Sequence, residues 1–174
     1  MPTPHIVFYR DPRIRGKSQL LPQSSDTRGL ISRMREVMKA SDGIGIAASQ
    51  IGELVRVFLV AQELFPDLTF PSDVFINPKI LRKGFKRVEG EEGCLSVPKV
   101  FGIVPRALRI TVEAYDQNLK KFKLAAQGLL ARVLQHELDH LDGILFIDRA
   151  TQESLHEVTY DKEGKETFRP WKLK

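Results

Sequence analysis

Gln135-His136-Glu137-Leu138-Asp139-His140 sets two imidazoles and a carboxylate at a spacing that can do chemistry. On a helix, His136 and His140 fall at i and i+4, so both rings leave one face and can close on a single metal ion. Glu137 between them is a carboxylate placed to move a proton of a water held by that ion. The hexapeptide thus proposes a metal, a nucleophile and a general base. Matches of this short form also occur by chance, so the flanking positions must be weighed.

Those positions predict a helix over 127–142, ended by Gly143. At about 100° of rotation per residue, Leu129, Leu130, Val133, Leu134, Leu138 and Leu141 share an arc with both histidines. Ala131, Arg132, Gln135, Asp139 and Asp142 fill the other side. Glu137 lies inside the apolar arc, where a bare carboxylate is costly without a partner.

Catalytic metals usually take three protein ligands plus water. A third histidine six residues after the second would mark a metzincin, but that position is Phe146. A glutamate ligand would have to come from Glu153, Glu157, Glu163 or Glu166, all in a polar tail. Cys94 is the chain's single cysteine, so it has no internal disulfide partner, and a free thiol suits a reducing compartment. Spacing leaves it open as a small buried hydrophobe, a nucleophile served by a histidine, or the third ligand. Gly93 before it permits unusual backbone angles, and Pro98 after it is expected to end the local strand.

Gly43-Ile44-Gly45-Ile46-Ala47-Ala48-Ser49-Gln50, then Glu92-Gly93-Cys94-Leu95-Ser96, then the histidine hexapeptide resemble the three ordered motifs of peptide deformylases. The similarity extends through Val104-Pro105-Arg106, Gly128-Leu129-Leu130-Ala131 and His140-Leu141-Asp142-Gly143, covering 5–149. The resemblance implies that Cys94, His136 and His140 hold one divalent ion. Ferrous iron is expected, with zinc, nickel or cobalt also suited. The implied reaction is hydrolytic removal of the formyl group from the N-terminal formylmethionine of new polypeptides. Glu137 would be general base and acid, and Gln50 with the Leu95 backbone N–H would stabilise the tetrahedral oxyanion. Ile44, Gly45, Glu92 and Gly93 would pair with the peptide as an added strand, with Leu129 and Val133 forming the methionine pocket. Arg106 is a weaker candidate for shaping that pocket or pairing with an acid. Ser49 stands where the family often has proline, which would stiffen the turn that aims Gln50.

Gly43, Gly45 and Ala48 also fit a dinucleotide-binding pattern, but that fingerprint follows a strand and opens a helix. Here it follows a predicted helix over 26–40. A zinc endopeptidase with a distant glutamate ligand and a non-catalytic metal- or ribosome-binding relative are the other readings. Peptide cleavage and formyl release separate them.

The chain's 174 residues suit one catalytic domain over 1–174, with 150–174 a polar extension. Beyond the two helices, strands are expected over 56–61 and 74–81, and a hairpin over 108–115 and 121–125 around Asp116-Gln117-Asn118. The fold class is α+β, with mostly antiparallel sheets around a central metal-binding helix. The tail around 161–165 reads as a turn, within a short hairpin or a mobile end. His5 and His156 read as ordinary surface or packing residues. No run is long enough for a membrane span. Met1-Pro2-Thr3-Pro4 is no signal peptide and lacks the arginines of a transit peptide, so a bacterial cytoplasmic location is expected over an organellar one. The net charge of +5 is spread over Arg82-Lys83, Lys86-Arg87, Lys120-Lys121, Lys172 and Lys174. That pattern reads as a solvated basic surface with no specific nucleic-acid recognition, since no aromatic-interleaved basic stripe is seen; the resemblance to deformylases, which act near nascent chains, adds weak ribosome contact as a secondary reading.

Overall fold

The computed structural model describes residues 5–22, 24–65 and 72–172. The opening Met1-Pro2-Thr3-Pro4 and Lys174 lie outside them. Among the described residues two α-helices, α1 (Arg28–Ala40) and α2 (Gly128–Leu141), stand among eleven strands. These are β1 (Gly45–Ala47), β2 (Val57–Val60), β3 (Val74–Lys83), β4 (Arg87–Val88), β5 (Glu91–Cys94), β6 (Val97–Ile103), β7 (Arg106–Ala107), β8 (Arg109–Tyr115), β9 (Lys121–Gln127), β10 (His156–Tyr160) and β11 (Glu166–Pro170). They form a five-stranded sheet in the order β1-β2-β3-β8-β9, a four-stranded sheet in the order β11-β10-β6-β5, and the pair β4-β7. Pairing within the sheets is antiparallel, so the α+β expectation holds.

The five-stranded sheet is covered on both faces, and the side-chain period of two explains how. Phe58, Val60 and Phe75 pack with Leu130, Leu134, Leu138 and Leu141 of α2. The intervening Val57, Leu59, Val74 and Ile76 pack with Ile31, Met34 and Val37 of α1. This double burial is why β2 reads as a continuous apolar run, Val57-Phe58-Leu59-Val60, with no polar alternation. Phe58 and Phe75 stack at 4.7 Å between ring centroids.

Boundaries follow local chemistry. The Asp26 carboxylate accepts from the Arg28 N–H at 3.1 Å, and the first two residues of the predicted 26–40 helix lie before α1, with Thr27 at its N-cap. Asp116 Oδ1 accepts from the backbone N–H of Asn118 and Lys120, both at 2.8 Å, and closes the β8–β9 turn. Gly143 adopts φ 74° and ends α2, where a Cβ would collide with the Arg15 carbonyl.

Three expectations change. Pro98 does not end a strand: it is the second residue of β6, and Cys94 closes β5 just before a two-residue turn. α2 has no polar side over its latter part, because Ala131, Gln135 and Asp139 are buried as well. Gln135 Nε2 donates to the Ala107 carbonyl at 3.0 Å and its Oε1 accepts from the Ala107 N–H at 3.2 Å, pinning that side of the helix to β7. Leu129, though on the predicted arc with Val133 and His136, is not buried in the core but 55% exposed where that face meets the open cleft. The tail forms the β10–β11 hairpin, with β10 paired to β6 through His156↔Phe101. Trp171 returns to pack edge-on against Tyr9. Among the described residues no helix is long and apolar enough to cross a membrane.

Candidate metal centre and peptide cleft

Three elements meet at the histidines. β5 ends at Cys94, α2 presents His136, Glu137 and His140, and the short 3-10 turn Ala48–Ile51 after β1 carries Gln50. Cys94 Sγ lies 3.1 Å from His140 Nε2. One ligating atom from each of Cys94, His136 and His140 falls within 4.8 Å of the others. Among the described residues this is the group able to hold a metal; Glu153, Glu157, Glu163 and Glu166 take no part in it.

The orientation of each ligand is set by what lies behind it. His136 Nδ1 is 3.0 Å from Glu92 Oε2, which leaves Nε2 with its lone pair for the centre. Glu92 in turn accepts from Arg106 Nε and Nη2, both at 2.9 Å, and from Arg132 Nη1 at 2.7 Å. Arg106 reaches past Glu92 to Asp139, which also accepts from Arg149 Nη2 at 2.6 Å. Two buried carboxylates thus sit among three guanidiniums. Burial works to raise the Glu92 pKa, but the Arg106 and His136 bonds win and hold it at about 2. Removing one partner of such a buried pair typically costs about 3–5 kcal/mol, so this network is also a structural anchor of α2. Arg106 therefore pairs with acids, the second of its two predicted roles, and does not line the peptide cleft.

Sequence reasoning missed Asp139 and Arg132, which helical periodicity assigned to solvent. Arg132 also donates to the carbonyls of Val88 and Val104, at 2.8 and 2.7 Å, and ties α2 to the β4–β7 region. A charged residue buried by contacts from strands distant in sequence leaves no mark on the helix's own periodicity.

Glu137 is buried, and its Oε2 has no hydrogen-bond partner among protein atoms. Burial pushes its pKa up to about 7, against the opposing pull of His136. His140 Nδ1 is likewise buried and unpartnered. A thiol, two imidazoles and an orphaned carboxylate facing one another fit a divalent ion with an oxygen ligand, which would satisfy groups the protein leaves open. Without one, burial and the His136 charge drive the His140 pKa well down, while Cys94 and Glu92 overcome burial to hold His136 well up.

Gln50 is held in one orientation. Its Oε1 accepts from the Ala47 N–H at 2.8 Å, so its amide N–H groups face Ser96 Oγ at 3.2 Å and Cys94 Sγ at 3.5 Å. Ser49 is fully buried and its hydroxyl donates to the His140 carbonyl at 3.3 Å. A proline there could not make that link between the Gln50 turn and the end of α2.

A cleft of about 550 Å³ opens onto the centre. Ile44, Gly45, Gln50, Glu92, Gly93, Cys94, Leu95, Leu129, Val133, His136 and Glu137 all line it, whereas His140 sits behind them. Its two walls are β1 and β5, each the outer strand of its own sheet. Ile44 and Leu129 are half exposed at its mouth. Phe101, which the sequence reading did not single out, also lines it, and His156 stacks behind its ring at 6.0 Å.

Comparison with known proteins identifies the family. The polypeptide deformylase family model matches residues 3–156. A peptide deformylase of Thermomicrobium roseum is 40% identical over 164 residues, covering 91% of this chain and 92% of the relative. One from Neisseria meningitidis serogroup B is 44% identical over 149 residues, covering 85% and 87%. Among solved structures, a Synechococcus elongatus peptide deformylase in complex with actinonin superposes with a TM-score of 0.79 at 37% identity, covering 87% of this chain and 80% of that one. The Thermotoga maritima peptide deformylase gives 0.78 at 34% identity, covering 87% and 99%. With the three motifs in order and the fold shared along most of the chain, this protein belongs to the polypeptide deformylase family and is a hydrolase of the deformylase type.

Proposed function

We propose that the enzyme removes the formyl group from N-terminal formylmethionine of newly made polypeptides, using one divalent ion held by Cys94, His136 and His140. The observation that carries this reading is the buried, unpartnered Glu137 carboxylate beside the Cys-His-His group. The ion would supply Lewis acidity, lowering the pKa of water and polarising the formyl oxygen.

The chain's own groups do the rest. The open edges of β1 and β5 bind the peptide backbone between them, through Ile44 and Gly45 on one side and Glu92 and Gly93 on the other. Leu129 and Val133 take the methionine side chain. Glu137 removes the proton of the attacking water and returns it to the departing amine, a task that suits a buried carboxyl with an oxygen left unpartnered by the protein. Gln50 Nε2 and the Leu95 N–H donate to the developing oxyanion. The Glu92–Arg106–Asp139 network fixes the His136 ring. Among the described residues Glu153, Glu157, Glu163 and Glu166 are not part of the ligating group, which counts against the endopeptidase alternative. The test is anaerobic purification, then metal analysis and formyl release from formyl-Met-Ala-Ser on one sample. Formate release tracking metal content is expected; cleavage of internal peptides without formyl release would overturn the assignment.

Gly45 should be intolerant of a side chain. A Cβ there would lie 2.5 Å from Glu137 Oε1 and 3.1 Å from Val133 Cγ1. The carboxylate would have to move, and a misplacement of about 1 Å costs roughly 10²-fold in rate. Gly45→Ala is expected to keep its metal and its fold while kcat falls by about that factor; an unchanged kcat would show that Glu137 tolerates displacement.

The resident ion is expected to be Fe²⁺, although tetrahedral Cys-His-His ligation also suits zinc. Cys94 lines the open cleft, so dioxygen reaches it, and its sulfur can climb from sulfenic to sulfonic acid beside a redox-active ion. The iron form should lose activity in air as Cys94 gains oxygen mass and metal departs, while the nickel form persists. Equal lifetimes with unmodified Cys94 in both would rule out this account of the ion.

A further inference from the structure

Arg82-Lys83-Gly84-Phe85-Lys86-Arg87 joins β3 to β4, with two pairs of cations flanking one aromatic ring. In sequence these pairs belong to a scattered basic surface. The fold places Arg82, Lys83, Phe85 and Arg87 in one wall of a cleft of about 820 Å³, with Lys86 exposed on the same turn. The cleft lies on the other side of α2 from the catalytic centre, against Gln135, Leu138, Asp139 and Asp142. Seven arginine or lysine side chains line it against two carboxylates. Both carboxylates are already matched, Asp139 by Arg106 and Arg149, and Asp142 by Arg56. Among the described residues Arg82, Lys83 and Lys86 have no ion-pair partner, so the excess positive charge is open to a ligand.

Phe85 is fully exposed. The same turn borders a second depression of about 640 Å³ that adds Arg109, so the ring stands on a ridge between two basic hollows. A single exposed phenylalanine is ordinary on a protein surface. One set between cation pairs on a ridge matches the parts used to hold an unpaired nucleic-acid strand: charges along the backbone path and a ring on which a base stacks.

We propose that this face binds single-stranded RNA, with Phe85 stacking on an unpaired base and Arg82, Lys83 and Lys86 neutralising phosphates. A duplex keeps its bases stacked on one another and has no use for the ring. An acidic peptide would need the charges but not the aromatic, and anionic vesicles are the arm of the test that separates a membrane from a strand. The choice of RNA as the strand rests on the deformylase reading, since new polypeptides are met where RNA is abundant. Because the face and the peptide cleft share no lining residue, RNA held here leaves the catalytic centre open.

The experiment is fluorescence anisotropy with a labelled, unstructured RNA of about twelve nucleotides, at about 50 to 200 mM salt, on the metal-loaded enzyme. Binding should weaken about tenfold in Phe85→Ala, a loss typical of one stacked base. Lys83→Gln and Lys86→Gln should each flatten the salt dependence by about 0.7 in log–log slope. Formyl release should be unchanged in all three variants, and duplex RNA, polyglutamate and anionic vesicles should bind more weakly without regard to Phe85. RNA affinity unaltered in Phe85→Ala would overturn the proposal, as would polyglutamate or vesicles matching the RNA. Because binding is read without a formylated substrate, such a result would leave the assigned reaction untouched.

Discussion

Glu137→Gln is expected to keep the metal and the fold while losing about 10²–10⁴-fold in kcat, the usual contribution of a positioned acid–base group. The substitution preserves shape but cannot accept a proton. It also removes a buried carboxyl whose pKa burial has pushed up to about 7, so stability should not fall and could rise. That separates chemistry from folding: a purely structural Glu137 would show its loss in thermal stability and leave turnover alone. The measurement is kcat for formyl-Met-Ala-Ser beside metal content and thermal midpoint. Turnover near that of the parent enzyme in a metal-loaded variant would remove Glu137 from its role.

Cys94→Ala, His136→Ala and His140→Ala are each expected to lose metal and activity together. Loss of a group that merely supports a ligand typically costs about 10–100-fold in metal affinity, so loss of a ligand atom should exceed that range. The three differ in what they leave behind. His136→Ala exposes the Glu92 carboxylate to the cavity, yet Arg106 and Arg132 still hold it, so the protein should remain folded. Cys94→Ala removes the contact with His140 Nε2 and an acceptor facing the Gln50 amide. Metal content after reconstitution, read with formate release, checks all three; a Cys94→Ala protein with full occupancy and full turnover would disprove the three-ligand arrangement.

Helical periodicity was enough to place His136, Glu137 and His140 on one inward face, because an i, i+4 relation is local and needs no partner to be visible. The 26–40 helix, the Asp116 turn and the apolar run of β2 were legible for the same reason: each depends on neighbours within a few residues. Resemblance carried the reading further, joining Gln50 and Cys94 to the histidines across long stretches of chain. What stayed hidden depends on contacts between distant segments. Asp139 and Arg132 look solvent-facing until β4, β5 and β7 close over them and turn their charges into a buried network behind His136. Pro98 looks like a strand terminator until the β5–β6 turn places it in an antiparallel strand. Phe85 looks like one more loop residue until β3 and β4 hold it between basic hollows. Pattern within one element is written by its own side chains, whereas burial and charge pairing between elements are settled only when the sheets close around α2.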